Sequence, residues 1–194
     1  IHPSLGINSV KELIARAKAA PGEINYASGP IGASNHIAAE LFKAMAGVNL
    51  TRIGYKGGGP AFNDVLAGQV KLMFASAGTI AGHVKSGKLR ALGVSSLEPS
   101  PLAPGLPTIA SLGVPGYTSE AIYGFWAPAK TPRAIVEKLH RETLKALQEP
   151  KVKHKLATLG IDPMVMNPTE FDAHVDKEIA VNAALVNAAG LKPQ

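Results

Sequence analysis

Strand-like and helix-like stretches alternate through the first half of this chain, and each strand runs directly into a short glycine-bearing turn. Few architectures satisfy that order. Ile24 to Ser28 is an apolar run suited to a buried strand, and Gly29-Pro30-Ile31-Gly32 is a turn. Ile37, Leu41, Ala44 and Met45 then recur at helical spacing up to Gly47, with Ser34 placed to cap the helix. The unit repeats: Thr51 to Tyr55, the turn Gly57-Gly58-Gly59, and a helix through Leu66 that Pro60 suits as a first residue. Lys71 to Ala75 is a third strand before a helix from Thr79 to Lys85, and Leu89 to Ser95 reads as a fourth. Strands separated by helices in this way imply a mainly parallel sheet covered on both faces, an α/β fold. Ahead of the first unit, Ser9 and Glu12 form a capping-box pattern for a helix carrying Val10, Leu13, Ile14 and Ala17, stopped by Pro21-Gly22.

The organisation changes at the Pro- and Ser-rich stretch from Glu98 to Pro107. A short helix over Thr108 to Leu112 and the turn Pro115-Gly116 precede an expected strand from Ala121 to Ala127. Pro132 opens an amphipathic helix with Ile135, Leu139, Leu144 and Leu147, which Pro150 interrupts. A helix from Val152 to Leu159 ends at Gly160, and Ile161 to Met166 reads as a last short strand. Thr169 to Ala189 is a long terminal helix capped by Gly190 and Pro193. This second portion offers helices and little sheet, which leaves it incomplete by itself.

Composition narrows the chemistry. The 194 residues are 46% hydrophobic, enough for a packed core and too apolar for disorder. No apolar run reaches the ~18–20 residues that span a bilayer. Cysteine is absent, which removes disulfides, thiol catalysis and Cys-ligated zinc together. A formal charge of +6 favours anionic partners. Its Lys and Arg residues are scattered, with Lys85, Lys88 and Arg90 the densest early group, so nucleic acid is not the expected partner. The chain opens Ile1-His2-Pro3-Ser4, with neither Met nor a charged leader and apolar stretch, and a processed or truncated chain is expected.

The turns at Ser28 to Ser34, Lys56 to Gly59 and Ala75 to Gly78 all follow strand ends, and in an open α/β sheet such ends converge on one crevice. The first two lead into helix N-termini, which favour an anion through free N–H groups and the helix dipole. Plain short connections also take glycine there, and the residues leave both readings open. Neither G-x-x-x-x-G-K-[ST] nor G-x-G-x-x-G is present, and Lys56 precedes its glycines, which argues against a nucleotide. Ser34 and His36 invite a nucleophile–base reading, but no G-x-S-x-G elbow surrounds them. His36 fits a structural hydrogen-bonding role better. The six His are dispersed, so no metal site is expected, and Glu137 with Glu142, or Asp172 with Asp176, suit solvated helix faces. Tyr123, Phe125 and Trp126 read as a core or lobe-interface cluster, with Tyr123 a candidate for a ligand crevice. No catalytic constellation emerges.

Asn25-Tyr26-Ala27-Ser28, Gly32 to His36, Ala39-Glu40-Leu41-Phe42, Tyr55 to Ala61, Gly68 to Phe74 and His83 to Leu92 together carry a resemblance. Pro115-Gly116-Tyr117, Tyr123-Gly124 and Ala127-Pro128-Ala129 extend it over essentially the whole chain. The chain resembles the substrate-binding receptors of tripartite tricarboxylate transporters, the Bug-type periplasmic proteins. That resemblance implies a type II periplasmic-binding-protein-like fold whose two lobes close on a small organic acid such as a di- or tricarboxylate. It implies no cofactor, no metal and no turnover, a periplasmic location, and delivery to membrane transporter subunits. It places ligand contacts on Ser28, Gly29, Ile31, Gly32, Ala33 and Ser34 of the first turn, Lys56 and Gly57 of the second, and Ala75 and Ser76 of the third. Ala33, Ile31, Ala75-Ser76 and Ile122 depart from residues common in that family, which bears on the ligand accepted. Ile1 to Ser4 resembles the family's crossover strand. On that alignment residues 1–118 are one complete doubly wound lobe, the second, and 119–194 the C-terminal, mainly helical part of the first. Two alternatives accompany this reading. One is an α/β hydrolase or transferase using Ser34 and His36. The other is a receptor fragment without independent ligand binding, whose uncovered surface over residues 121–194 pairs in a homodimer.

Overall fold

The computed structural model describes residues 1–188. They fall into two compact units, one of Ile1–Ala121 and a second that begins at Ile122.

The first unit is built on the expected strand–turn–helix units. Helix α1 (Val10–Ala19) leads into β1 (Asn25–Ser28), α2 (Ser34–Ala46), β2 (Thr51–Gly54), α3 (Gly58–Leu66), β3 (Leu72–Met73) and α4 (Ala77–Lys85). The three strands form one parallel sheet in the order β2-β1-β3, with Tyr26 opposite Arg52 on one side and Leu72 on the other. The path from β1 to β2 steps one way, and the path from β2 to β3 returns past β1. With right-handed crossovers, α2 and α3 therefore cover opposite faces.

Packing follows the pleat. On one face Ala27, with its register neighbours Ile53 and Met73, packs against Ala61 and Val65 of α3 and Ile80 and Val84 of α4. On the other, the Tyr26 hydroxyl donates to Glu40 of α2, and Phe42 of α2 joins Phe74 and Tyr117 in an aromatic cluster with centroids 5.9–6.4 Å apart. Helix α1 begins as its sequence indicates: the Glu12 amide donates to Ser9 Oγ, while Glu12 Oε2 accepts from the Asn8 amide at 2.9 Å. Helix α2 stops at Gly47, whose φ of +62° a side chain would resist.

Several expectations need correction. Leu89 to Ser95 is not a fourth strand of the sheet. Its backbone bonds to Ile1 and to Pro107 and Ile109, with a single bridge between Val94 and Thr108. Thr108 to Leu112 is not a helix: Thr108 holds that bridge, and Ile109 to Leu112 form a turn. Ser34 is the first helical residue of α2 and Ala33 its N-cap, while Pro60 sits third in α3, where its missing N–H again goes unneeded.

The second unit holds α5 (Arg133–Gln148), α6 (Pro150–Leu159) and α7 (Pro168–Ala188). Neither 121–127 nor 161–166 forms a strand, because neither has a neighbouring segment in a ladder among the described residues. Ala189, Gly190 and Pro193, the expected end and caps of the last helix, lie outside the described residues. Trp126 stacks on Phe171 at 5.6 Å, and Phe171 also fills the space a side chain at Gly124 would need. Tyr123, Phe125 and Trp126 are exposed, which corrects the core reading for this cluster. Glu137 pairs with Arg133 and Glu142 with Lys145 on helix surfaces. Among the described residues no helix is long and apolar enough to cross a membrane.

Candidate functional site

Three parallel neighbours present their carboxyl ends at one edge of the sheet, so the turns 29–33, 55–57 and 74–76 gather there. The first two touch. Gly29 lies so close to Gly57 that a Cβ built on it would be 3.9 Å from the Gly57 carbonyl carbon, and 3.4 Å from the Ala33 Cβ. The structure thus brings Ser28, Gly29, Ala33 and Gly57 together. Ala75 and Ser76 follow β3 on the other side of β1, with Ser76 exposed as the N-cap of α4.

The first turn is held from beneath by three side chains. Its Gly29 amide donates to Asn35 Oδ1 at 3.2 Å, and its Gly32 amide donates to His36 Nδ1 at 3.1 Å. Arg52 donates from Nε to Ser28 Oγ at 2.8 Å and from Nη2 to the Gly29 carbonyl at 2.7 Å. Ser28 is fully buried, its hydroxyl donating to the Gly29 carbonyl while it accepts from Arg52. Gly32 takes φ +83°, a conformation open to glycine, and Ile31 beside it is 45% exposed. Ser34 and Lys56 are exposed. Beneath the second turn, Tyr55 donates its hydroxyl to Asp64 Oδ2 at 2.6 Å, and that bond, with some desolvation, pushes the phenol up to about 12.

Arg52 and Asn35 hold the first turn, and neither was among the residues expected there from the sequence. Asn35 carries no local signal beyond its place after a turn. For Arg52 a signal exists: a charged residue inside a strand, two residues before a glycine, shares a face with that glycine. Here Gly54 accommodates the guanidinium, since a Cβ there would come within 3.0 Å of Nη2.

The electrostatics of this edge are one-signed. Helices α2, α3 and α4 start at Ala33, Gly57 and Ser76 with no side-chain cap and no acidic residue in the first turn. Each N-terminus therefore presents free N–H groups and about half a positive charge. His36 is 2% exposed, and burial, with Arg52 second, pushes it below the ordinary imidazole range. As Nδ1 accepts the Gly32 amide, the neutral ring carries its proton on Nε2. No basic nitrogen is left for Ser34, which removes the nucleophile–base pairing. What the edge can do is receive an anion on backbone amides.

Fold and site together define an α/β lobe whose strand-end turns and helix N-termini converge on one edge of a parallel sheet. Residues 1–191 match the family described as tripartite tricarboxylate transporter family receptor, and the chain belongs to that family. It is 34% identical over 191 residues to Protein BugT of Bordetella pertussis, covering 98% of this chain and 59% of BugT. Among solved structures, R. palustris Rpa4515 with adipate superposes with a TM-score of 0.90 at 33% identity, covering 100% of this chain and 64% of that one. The periplasmic binding protein BugD superposes at 0.87 with 34% identity, covering 97% and 64%. The chain therefore spans about three fifths of the length of these relatives. The family is one of receptors rather than enzymes, and the fold is that of its periplasmic binding proteins.

Proposed function

We propose that this chain carries the carboxylate-receiving lobe of a periplasmic solute receptor for a tripartite tricarboxylate-type transporter. The observation that carries this is the meeting of three uncapped, acid-free helix N-termini at one edge of a parallel sheet. A small organic acid would lay one carboxylate against the amides of Ser34 and Asn35 that open α2, over the turn of Gly29, Gly32 and Ala33, whose own amides are bonded to Asn35, His36 and Pro30. Lys56 and Gly57 would stand on its second side and Ala75 and Ser76 on its third, with Ile31 offering apolar contact to a carbon chain. The adipate held by a relative of 33% identity supports a dicarboxylate. On this reading residues 1–118 form the lobe that holds these contacts, 119–194 belong to the opposite lobe, and membrane transporter subunits receive the loaded protein.

The test is thermal unfolding with adipate and a panel of C4–C6 dicarboxylates at millimolar concentration. A ligand at 100 times its Kd adds about 2.7 kcal/mol to the free energy of unfolding, a readily measured rise in midpoint. A rise with one acid and none with its methyl ester supports the reading, and a flat panel overturns it.

A second reading concerns self-association. Phe125, Trp126, Leu139, Val165 and Ile179 of the second unit are large, apolar and exposed, a surface that pairing with a second copy would cover. Light scattering on the eluting chain decides it: a monomer at micromolar concentration removes the dimer.

A further inference from the structure

Arg52 is half-buried, and its hydrogen bonds reach no carboxylate among the described residues. Its two hydrogen-bond acceptors, Ser28 Oγ and the Gly29 carbonyl, are both neutral and both belong to the end of β1 and its turn. Among the described residues no carboxylate forms an ion pair with it, although Glu40 forms one with Lys43 nearby on α2. A partly desolvated charge without a partner costs free energy in the empty lobe, and an arriving anion offsets that cost. The guanidinium is also fixed in place. A bidentate hold on two neighbouring residues and the bare face of Gly54 leave it little freedom to swing out to water.

We propose that Arg52 is the positioning residue of this site: it clamps the β1–α2 turn from below and supplies the unpaired positive charge that draws a carboxylate onto the amides that open α2. It does this through Ser28 and Gly29 and makes no contact with the ligand. The proposal rests on the carboxylate-receptor reading above, and one part of it can be read without any ligand. His36, whose Nδ1 accepts the Gly32 amide, faces Arg52 from β2 and Glu40 and Lys43 from its own helix. Arg52 and Lys43 disfavour its protonation together with burial, while Glu40 favours it. The His36 ring is thus a built-in reporter of the Arg52 charge.

The experiment compares Arg52→Met and Arg52→Lys with the unaltered chain. It follows the His36 ring by NMR across pH, the Gly29 and Gly32 amide shifts without ligand, and adipate binding by calorimetry. Arg52→Met should weaken adipate about tenfold or more, as loss of a charge-assisted clamp does. It should also shift both amides and raise the pH at which His36 titrates. Arg52→Lys keeps the charge and loses the fork, so the His36 midpoint should stay near that of the unaltered chain while affinity recovers in part. Unchanged affinity and an unchanged His36 midpoint in Arg52→Met overturn the proposal. Equal losses in both variants with the midpoint fixed overturn it too, since charge would then play no part. If the unaltered chain binds no dicarboxylate, the receptor reading fails, and the His36 midpoint and the Gly29 amide still decide the clamp and its field. Should Arg52→Met not fold, Ser28→Ala removes one anchor of the clamp. It should shift the Gly29 amide and weaken adipate several-fold, and an unmoved amide overturns the clamp.

Discussion

At the scale of single residues, the first turn depends on a histidine that stays neutral. His36 is buried and its folded-state pKa lies below the ordinary value, chiefly through desolvation. The unfolded chain therefore binds a proton more readily than the folded one. The stability His36 contributes is present above about pH 6.5 and falls as pH drops below that value towards the lowered folded pKa. The Gly32 amide loses its acceptor as the ring protonates. Replacing His36 with Asn keeps an acceptor near Nδ1 and removes the titration, so melting midpoints between pH 5.5 and 7.5 should fall less steeply in His36→Asn. Parallel profiles would show that the ring is not the titrating group. Gly32 itself takes φ +83°, and Gly32→Ala should cost about 1–2 kcal/mol in chemical denaturation. Gly58→Ala, at the open first position of α3 with nothing within 4 Å of its Cβ, should stay within about 0.5 kcal/mol of the unaltered chain. Little of this support was visible in the residues alone. The glycines announced turns, but Arg52 and Asn35 acquire their roles only once the register sets Arg52 opposite Tyr26 and the turn folds back over α2.

At the scale of elements, α2 begins without a cap, and function and stability pull against each other there. Ala33, its N-cap, has the extended φ and ψ of −63° and 150° that capping residues adopt, yet its methyl accepts no hydrogen bond. Ala33→Asp should satisfy a free amide, complement the dipole and stabilise the lobe by about 1 kcal/mol. The same carboxylate would occupy the amides proposed for the ligand, so adipate binding should be lost while the melting midpoint rises. A variant that is both more stable and fully able to bind would remove α2 from the site. Which elements could be read in advance follows from where their causes lie. The units 24–46, 51–66 and 71–85 carry local causes: a strand-length stretch, then a period of 3.6, with glycine between, and all three are present. The capping box at Ser9 is equally local. Leu89 to Ser95, 121–127 and 161–166 have apolar runs of strand length, but a strand is defined by a partner, and no window of sequence contains the partner. Leu89 to Ser95 found Ile1 and the segment 107–109 in place of β3. The convergence of the three turns was legible because parallel strands force it.

At the scale of the whole molecule, the buried apolar side chains from Leu5 to Tyr117 belong to the first unit, and no described residue of the second is fully buried. Helices of ten to twenty-one residues draw most of their stability from packing an apolar face, and without it they are marginal in water. Ile135 and Leu139 of α5 and Ile179 of α7 lie instead largely in solvent. Two consequences can be measured on one sample. Amide exchange should leave β1, α2 and α3 protected for hours while α5, α6 and α7 exchange orders of magnitude faster, since local opening there exposes little further apolar surface. Residues 1–121 expressed alone should also melt cooperatively, with a midpoint close to that of the full chain, because the core and its hydrogen bonds are internal to that segment. Slow exchange throughout α5 to α7 would mean that their apolar face is covered in solution. If that protection faded on dilution, a second copy would be the cover. If it persisted, the helices would hold their structure within the single chain, and the dimer reading would lose its motive.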